Sequence, residues 1–219
     1  VKKFYVIWHL IRLSLAYDGR NKQALYGIIL YAVAVSYALS LVFSGSASTI
    51  IGVALIWMVL MFSGLQAAQR SAHLHSENRF FTAAQWSGPR EWALAMMLYQ
   101  MVFQALLSIF TWYMFKLWMG ITPANEWIFL GLIALGSSAF AALTTFIAAI
   151  SSRSQQTLGL MGILSIPILL PILLIGVVGS VAVVSSGTVV VGSYIAALSA
   201  MNLVILILGY LLFPYLWDE

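Results

Sequence analysis

Six stretches of the chain are almost purely apolar, at about 24–43, 49–68, 92–115, 127–150, 157–180 and 191–213. Each is close to the roughly 20 residues that an α-helix needs to cross a bilayer. Short polar breaks separate them: Ser44-Gly45-Ser46-Ala47-Ser48, Gly120-Ile121-Thr122-Pro123-Ala124-Asn125, and Ser151-Ser152-Arg153-Ser154-Gln155-Gln156. The pattern predicts a single all-α transmembrane domain over residues 1–219, a bundle of six spanning helices.

Ahead of the first span, residues 1–22 form an entry segment with a different rhythm. Within 2–17, Lys2, Tyr5, His9, Arg12 and Ala16 fall at spacings of three and four, and Phe4, Ile7, Trp8, Ile11 and Leu15 take another stripe. That suits a helix lying in the headgroup plane; a cytosolic amphipathic helix packed on a partner is the alternative. Arg12 and the run Asp18-Gly19-Arg20-Asn21-Lys22 interrupt the apolar stretch, and no small-residue cleavage site follows, so no cleaved signal is expected.

Composition agrees with lipid as the solvent. Apolar residues make up 63% of the 219 positions and charged residues 7%, where a soluble domain carries roughly 25% charged residues. With the N-terminus inside, Lys2, Lys3, Arg12, Arg20, Lys22, Arg70, Arg79, Arg90 and Arg153 share the inner side and only Lys116 lies outside. This is the positive-inside distribution, with both termini cytoplasmic and no nucleic-acid role for the net charge of +4. The chain has no cysteine, which excludes a disulfide framework, thiolate metal sites and covalent haem attachment through C-x-x-C-H. It also has no P-loop, so nucleotide hydrolysis, if used, belongs to another chain. The span interiors hold no Asp, Glu, Arg or Lys, which disfavours a proton-coupled pump or an intramembrane enzyme.

The fifth span carries Pro167 and Pro171, four residues apart. Each removes a backbone donor, so a kinked helix packed inside the bundle is expected there. Gly176 to Val190 reads as a second kink or a re-entrant hairpin. In the fourth span Ala134, Ser138 and Ala142 form a row of small residues suited to close helix approach.

The longest polar segment, 69–91, is the foremost candidate for function. Phe80, Phe81 and Trp86 stand among Arg70, Glu77 and Arg79. Aromatic residues flanked by charge suit a docking surface, against the blander reading of an interfacial helix with its rings in lipid. Pro89, Arg90 and Glu91 then open the third span, with Pro at a first helical position and Glu in the first turn. His73 and His75, two apart, point to different faces of a helix and do not chelate together; no metal is expected there, and His9 reads as a polar-face residue. Gln100, Gln104, Ser108 and Thr111 form a polar stripe along the third span. It is either interhelical hydrogen bonding or one wall of a polar groove lined by Gln100, Gln104 and Ser108.

The order of elements, an amphipathic entry helix, two spans, a long aromatic loop ending in Pro, two more spans, a Pro-broken fifth and a sixth, resembles permease subunits of ABC exporters. More closely it resembles the cytochrome c maturation protein B family (haem exporter protein B). The likeness rests on Ile7-Trp8-His9-Leu10-Ile11-Arg12, on Leu55-Ile56-Trp57, on Ser87-Gly88-Pro89, and on Ile166-Pro167-Ile168-Leu169-Leu170-Pro171-Ile172-Leu173-Leu174-Ile175. It covers nearly the whole chain, and the double-proline segment is its most specific piece. Two departures fall in or beside the loop. Gln69-Arg70 stands where members carry an acidic residue before the Arg, and Asn78-Arg79-Phe80-Phe81 stands where they have a run with Asp and Gly.

The resemblance implies a bacterial inner-membrane subunit that meets a separate ATPase through the loop, with Arg70, Glu77, Arg79, Phe80, Phe81, Trp86, Pro89 and Arg90 as the docking residues. It also implies sister haem-handling membrane subunits, a periplasmic haem chaperone and two membrane halves per complex. The output would be either haem export or release of the haem-loaded chaperone. ATP enters through the partner, haem only as substrate, and no catalytic residue or covalently bound cofactor is expected here. A non-transporting scaffold of a haem-handling complex is the alternative.

Overall fold

A computed structural model of the protein describes residues 2–20, 22–43, 49–76, 88–151, 157–186 and 191–217. The expected turn at 44–48 and the residues Glu77, Arg79, Phe80, Phe81, Trp86 and Arg153 lie outside them. Seven helices follow in order: α1 (Lys2–Arg20), α2 (Lys22–Phe43), α3 (Thr49–Ser76), α4 (Pro89–Met119), α5 (Glu126–Ser151), α6 (Thr157–Ser186) and α7 (Val191–Trp217). No strand occurs among the described residues. The helices from α2 to α7 are each long and apolar enough to span a membrane. The chain is a multi-pass, all-α membrane protein.

Several helix ends have visible chemical causes. Gly88 takes φ 87°, a left-handed conformation that favours glycine, and Pro89 opens α4 with Glu91 in its first turn. At the other end Gly120, with φ 65°, donates its N–H to the Lys116 carbonyl at 3.1 Å and stops the helix. Asn125 caps α5, its Oδ1 accepting from the Ile128 N–H at 3.2 Å. Lys116 and Glu126 pair across this connection, so Lys116 is held by a partner as well as lying near a helix end.

The helices run past the apolar windows. At 28 residues α3 is about 42 Å long, well beyond a hydrocarbon core of roughly 30 Å. Its apolar window ends at Ala67, and the nine residues from Ala68 to Ser76 continue as a helical projection. Backbone hydrogen bonding carries the helix on through Gln69, Arg70, Ser71 and Ala72, which are compatible with it.

In α6 the structure corrects two expectations. The helix continues without a break from Thr157 to Ser186 with both prolines inside it, so Gly176 to Ser186 is not a re-entrant hairpin. In lipid a backbone keeps its polar groups satisfied by staying helical. Nor do the prolines point into the bundle: Pro167 and Pro171 are exposed, with Ile166, Ile168, Leu170 and Leu174. The inward face is Leu169, Ile172, Gly176, Ser180 and Val183. Their helical spacing places the proline rings where no neighbour obstructs them.

The core centres on α5, whose window is 78% buried against 22% for α2 and for α7. Trp57 of α3 is its keystone. The ring is fully buried and its indole N–H donates to Ser180 Oγ of α6 at 2.9 Å. It also lies edge-on to Phe140 of α5, with centroids 5.8 Å apart. The small-residue row of α5 meets α7: Ser138 Oγ donates to Asn202 Oδ1 at 3.1 Å, and Asn202 Nδ2 donates to the Leu135 carbonyl at 3.0 Å.

Candidate functional site

The segment between α3 and α4, which holds most of the candidate docking residues, is bordered by two described helices. On one side stands the α3 projection, which carries Arg70, His73 and His75 along the helix. On the other, α4 begins at Pro89. Arg90 is exposed at that start, and its guanidinium lies 5.5 Å from the centre of the Tyr210 ring on α7, within cation–π range. Five of the proposed docking residues (Glu77, Arg79, Phe80, Phe81 and Trp86) fall outside the described residues.

Directly behind this start is an apolar cluster separate from the main core. Leu10 of α1, Trp92, Ala93, Ala95 and Met96 of α4, Ala149 of α5 and Phe213 of α7 are buried together. The Trp92 and Phe213 rings lie 5.5 Å apart. The cluster joins the middle of α1 to the first turns of α4 and the last turns of α5 and α7.

The fully buried positions of the entry helix lie in neither predicted stripe, while Ile7 and Ile11 of the apolar stripe pack against the cluster beside them. Leu10, Ser14 and Asp18, four residues apart, are its buried positions. Ser14 Oγ donates to the Leu10 carbonyl at 3.0 Å and lies 3.6 Å from Met96 Sδ. The Tyr99 hydroxyl donates to the Asp18 carboxylate. Trp8, Leu13 and Leu15 stay exposed, which leaves apolar surface for lipid. His9 is exposed and lies edge-on to Tyr5, with centroids 4.4 Å apart. Among the described residues no group of three metal-ligating side chains occurs.

The polar stripe of α4 is enclosed. Gln100, Gln104, Ser108 and Thr111 are all buried. Gln104 Nε2 donates to the Leu60 carbonyl at 3.0 Å and to Ser63 Oγ at 2.9 Å, stapling α4 to α3. Ser108 and Thr111 donate to the carbonyls of Ala105 and Leu107 in their own helix.

A pocket of about 450 Å³ opens between α5, α6 and α7, with Leu143, Phe146, Ile172, Met201, Val204 and Leu208 among its lining residues. No charged side chain lines it, so it offers hydrocarbon packing but no cation for a carboxylate. Residues the sequence reading passed over include Asp18 as an anchor, Tyr99, Trp92 and Asn202. A lone amide within an apolar span was the available signal for Asn202.

No curated protein matches the chain. Comparison with known protein families matches residues 5–215 to the family described as CcmB protein. The match covers the entry helix, all six spans and both prolines, so the chain belongs to the CcmB family and, with it, to the haem-handling machinery of cytochrome c maturation.

Proposed function

We propose that the chain is the permease subunit of an ABC-type complex of the bacterial inner membrane, with both termini in the cytoplasm. A separate ATPase subunit docks on the segment between α3 and α4. ATP hydrolysis there drives either haem export or release of a haem-loaded periplasmic chaperone, with sister membrane subunits handling haem. The chain supplies no catalytic residue and no covalently held cofactor. Two membrane halves complete the complex.

The observation that carries this reading is the family match across 5–215, taken with the bundle around the candidate docking segment. That segment is flanked by the helical projection of α3 and by the start of α4, and the latter is clasped to α1, α5 and α7 through Trp92, Leu10, Ala149 and Phe213. A push at Pro89 reaches four helices through packed side chains rather than through one flexible tether. Docking surfaces rich in aromatic and Arg residues are the usual anchors of such contacts.

The scaffold reading draws on a different observation. The pocket beside α6 lacks a charged lining residue, whereas haem carries propionates that need polar contacts. On that reading the chain assembles the complex and haem travels elsewhere.

A pull-down of the tagged chain from detergent-solubilised membranes tests both. ATPase activity in the eluate, lost with a catalytically dead ATPase, is the expected result. Repeated absence of any ATPase across mild detergents would sink the permease reading. Retention of ATPase with Phe80, Phe81 and Trp86 each changed to Asp would sink the docking assignment alone.

A further inference from the structure

We propose that the pocket between α5, α6 and α7 is a binding site for one acyl chain of a membrane phospholipid. The site goes beyond the permease reading and holds whatever the complex moves. Only the leaflet that supplies the chain, the inner one, rests on the orientation proposed above.

The spacing of side chains on two helices makes the pocket. On α7, Ala200, Val204 and Leu208 follow at steps of four and line it together, and α6 contributes Ile168 and Ile172 at the same step. Ala200 brings only a methyl group, so the wall stands back there. The lining divides into a floor and a mouth. Leu143, Ile147, Ile172 and Ile205 are each no more than 8% exposed and form the floor. Ile168, Val204 and Leu208 are 49%, 55% and 43% exposed, so the pocket opens outward between α6 and α7.

Depth places that mouth in hydrocarbon. Ile168 and Ile172 stand three and seven residues after Ser165, where the apolar window of α6 begins. Leu208 and Ala200 stand five and thirteen residues before Phe213, where that of α7 ends. The pocket therefore lies about 5–20 Å below the ends of the two spans. That is the depth of the chains of one leaflet in a core of roughly 30 Å.

Size and chemistry select the occupant. An apolar cavity of roughly 150 Å³ takes up one benzene ring. By that measure a pocket of about 450 Å³ takes about eighteen carbon atoms, the amount in one phospholipid chain. Every lining side chain is aliphatic, Phe or Met. None bonds to a headgroup, so the site holds a chain without choosing among headgroups. Apolar walls keep water out, and walls left without a partner forfeit their dispersion contacts. A helix of a neighbouring subunit, about 10 Å across, is too wide to enter, whereas an extended chain follows the seam between α6 and α7. Met201, unbranched and polarizable, adapts the wall to it.

Photolabelling tests the site. The probe is a phosphatidylethanolamine with a diazirine in the middle of one acyl chain. It is mixed into nanodiscs of phosphatidylethanolamine and phosphatidylglycerol that hold the full chain in its purified membrane complex. Irradiation inserts the probe into nearby C–H bonds, and peptide mass spectrometry locates the adducts. Adducts should appear on the floor, at Leu143 or Ile147, although both are buried. They should fall several-fold in Ala200→Phe and in Val204→Phe, which narrow the mouth from exposed positions. Labelling of Leu30, 67% exposed on α2, should stay constant across the three proteins. A floor without adducts in the native complex, or adducts that neither substitution reduces, would overturn the proposal. Floor adducts in the isolated chain but none in the complex would overturn it too, and would give the pocket to a side chain of a neighbouring subunit. Should one variant fail to fold, the other carries the same comparison. ATPase co-elution, read on the same samples, reports separately on the permease reading.

Discussion

The six-membered ring of Trp57 fills the notch made by Gly176 on α6, and the place where a Cβ on Gly176 would stand lies 2.3 Å from Trp57 Cη2. Gly136 on α5 makes the same notch from the other side, at 2.1 Å. One indole thus sets the spacing of α3, α5 and α6. Gly136→Ala and Gly176→Ala should each destabilise the bundle by about 1–3 kcal/mol through overpacking, read as thermal unfolding of the purified chain in detergent. Trp57→Ala should cost more, about 3–5 kcal/mol, by leaving a cavity. In the double variant Trp57→Ala with Gly176→Ala the added methyl enters open space, so its own cost should vanish. A strictly additive double variant would mean that the two residues are not in contact.

How far the sequence foretold this follows from the kind of signal each feature leaves. The spans were legible because some twenty consecutive apolar residues have few other uses, and Gly88, Pro89 and Gly120 marked ends by their backbone chemistry. Where α3 stops was not legible: Gln69 to His75 are too polar for lipid but good enough for a helix, and hydropathy sees only the first property. The stretch from Gly176 to Val190 reads as a kink or a hairpin because glycines weaken a helix in water; in the bundle Gly176 gives room for Trp57 and Gly179 for Leu132 and Tyr194. The α4 stripe was legible as polar, but its partners Leu60 and Ser63 depend on register between distant segments. The same holds for Tyr99 with Asp18 and for Asn202 with Ser138, pairs that periodicity within one helix cannot reveal.

The entry helix should be released by losing one hydroxyl. Tyr99 donates to the Asp18 carboxylate, which is 4% exposed at the α1–α4 contact. A hydrogen bond to a charged group is worth about 1.5–3 kcal/mol, so Tyr99→Phe should raise the population of undocked α1 by roughly tenfold or more. The chain has no cysteine of its own, which permits a clean readout. In Leu10→Cys, where the native residue is 7% exposed, maleimide labelling should be slow and should accelerate when Tyr99→Phe is added. Equal labelling rates with and without Tyr99→Phe would show that the helix is held without the Tyr99 hydroxyl, by Ser14 and by the packing of Val6, Ile7 and Ile11.

Sidedness is testable at two single positions. The proposed orientation places Lys116 outside and Arg90 inside. Lys116 and Glu126 are an ion pair with side chains 35% and 42% exposed, and such pairs contribute only about 0–1 kcal/mol. Lys116→Cys should therefore leave folding intact and react with a membrane-impermeant maleimide on whole cells. Arg90→Cys should react only after the membrane is opened. The reverse pattern would invert the topology and remove the segment between α3 and α4 from the reach of a cytoplasmic ATPase.

The prolines of α6 provide the sharpest separation of stability from function. Pro167 and Pro171 are exposed, so replacing either with Ala gives up little packing within the chain. The replacement restores a backbone N–H and relieves the clash of the ring with the preceding turn, an effect on the order of 3 kcal/mol in a soluble helix. Pro171→Ala should accordingly leave the melting temperature of the bundle unchanged or raise it. If the helix must bend during turnover, cytochrome c maturation should fall in the same variant even though the chain still folds and still assembles. Melting that drops sharply in Pro171→Ala would instead mean that the ring is covered in the assembled complex, with a neighbouring subunit packed on the face of α6 that this chain leaves open. Maturation at the native level with a raised melting point would leave the prolines no part in turnover.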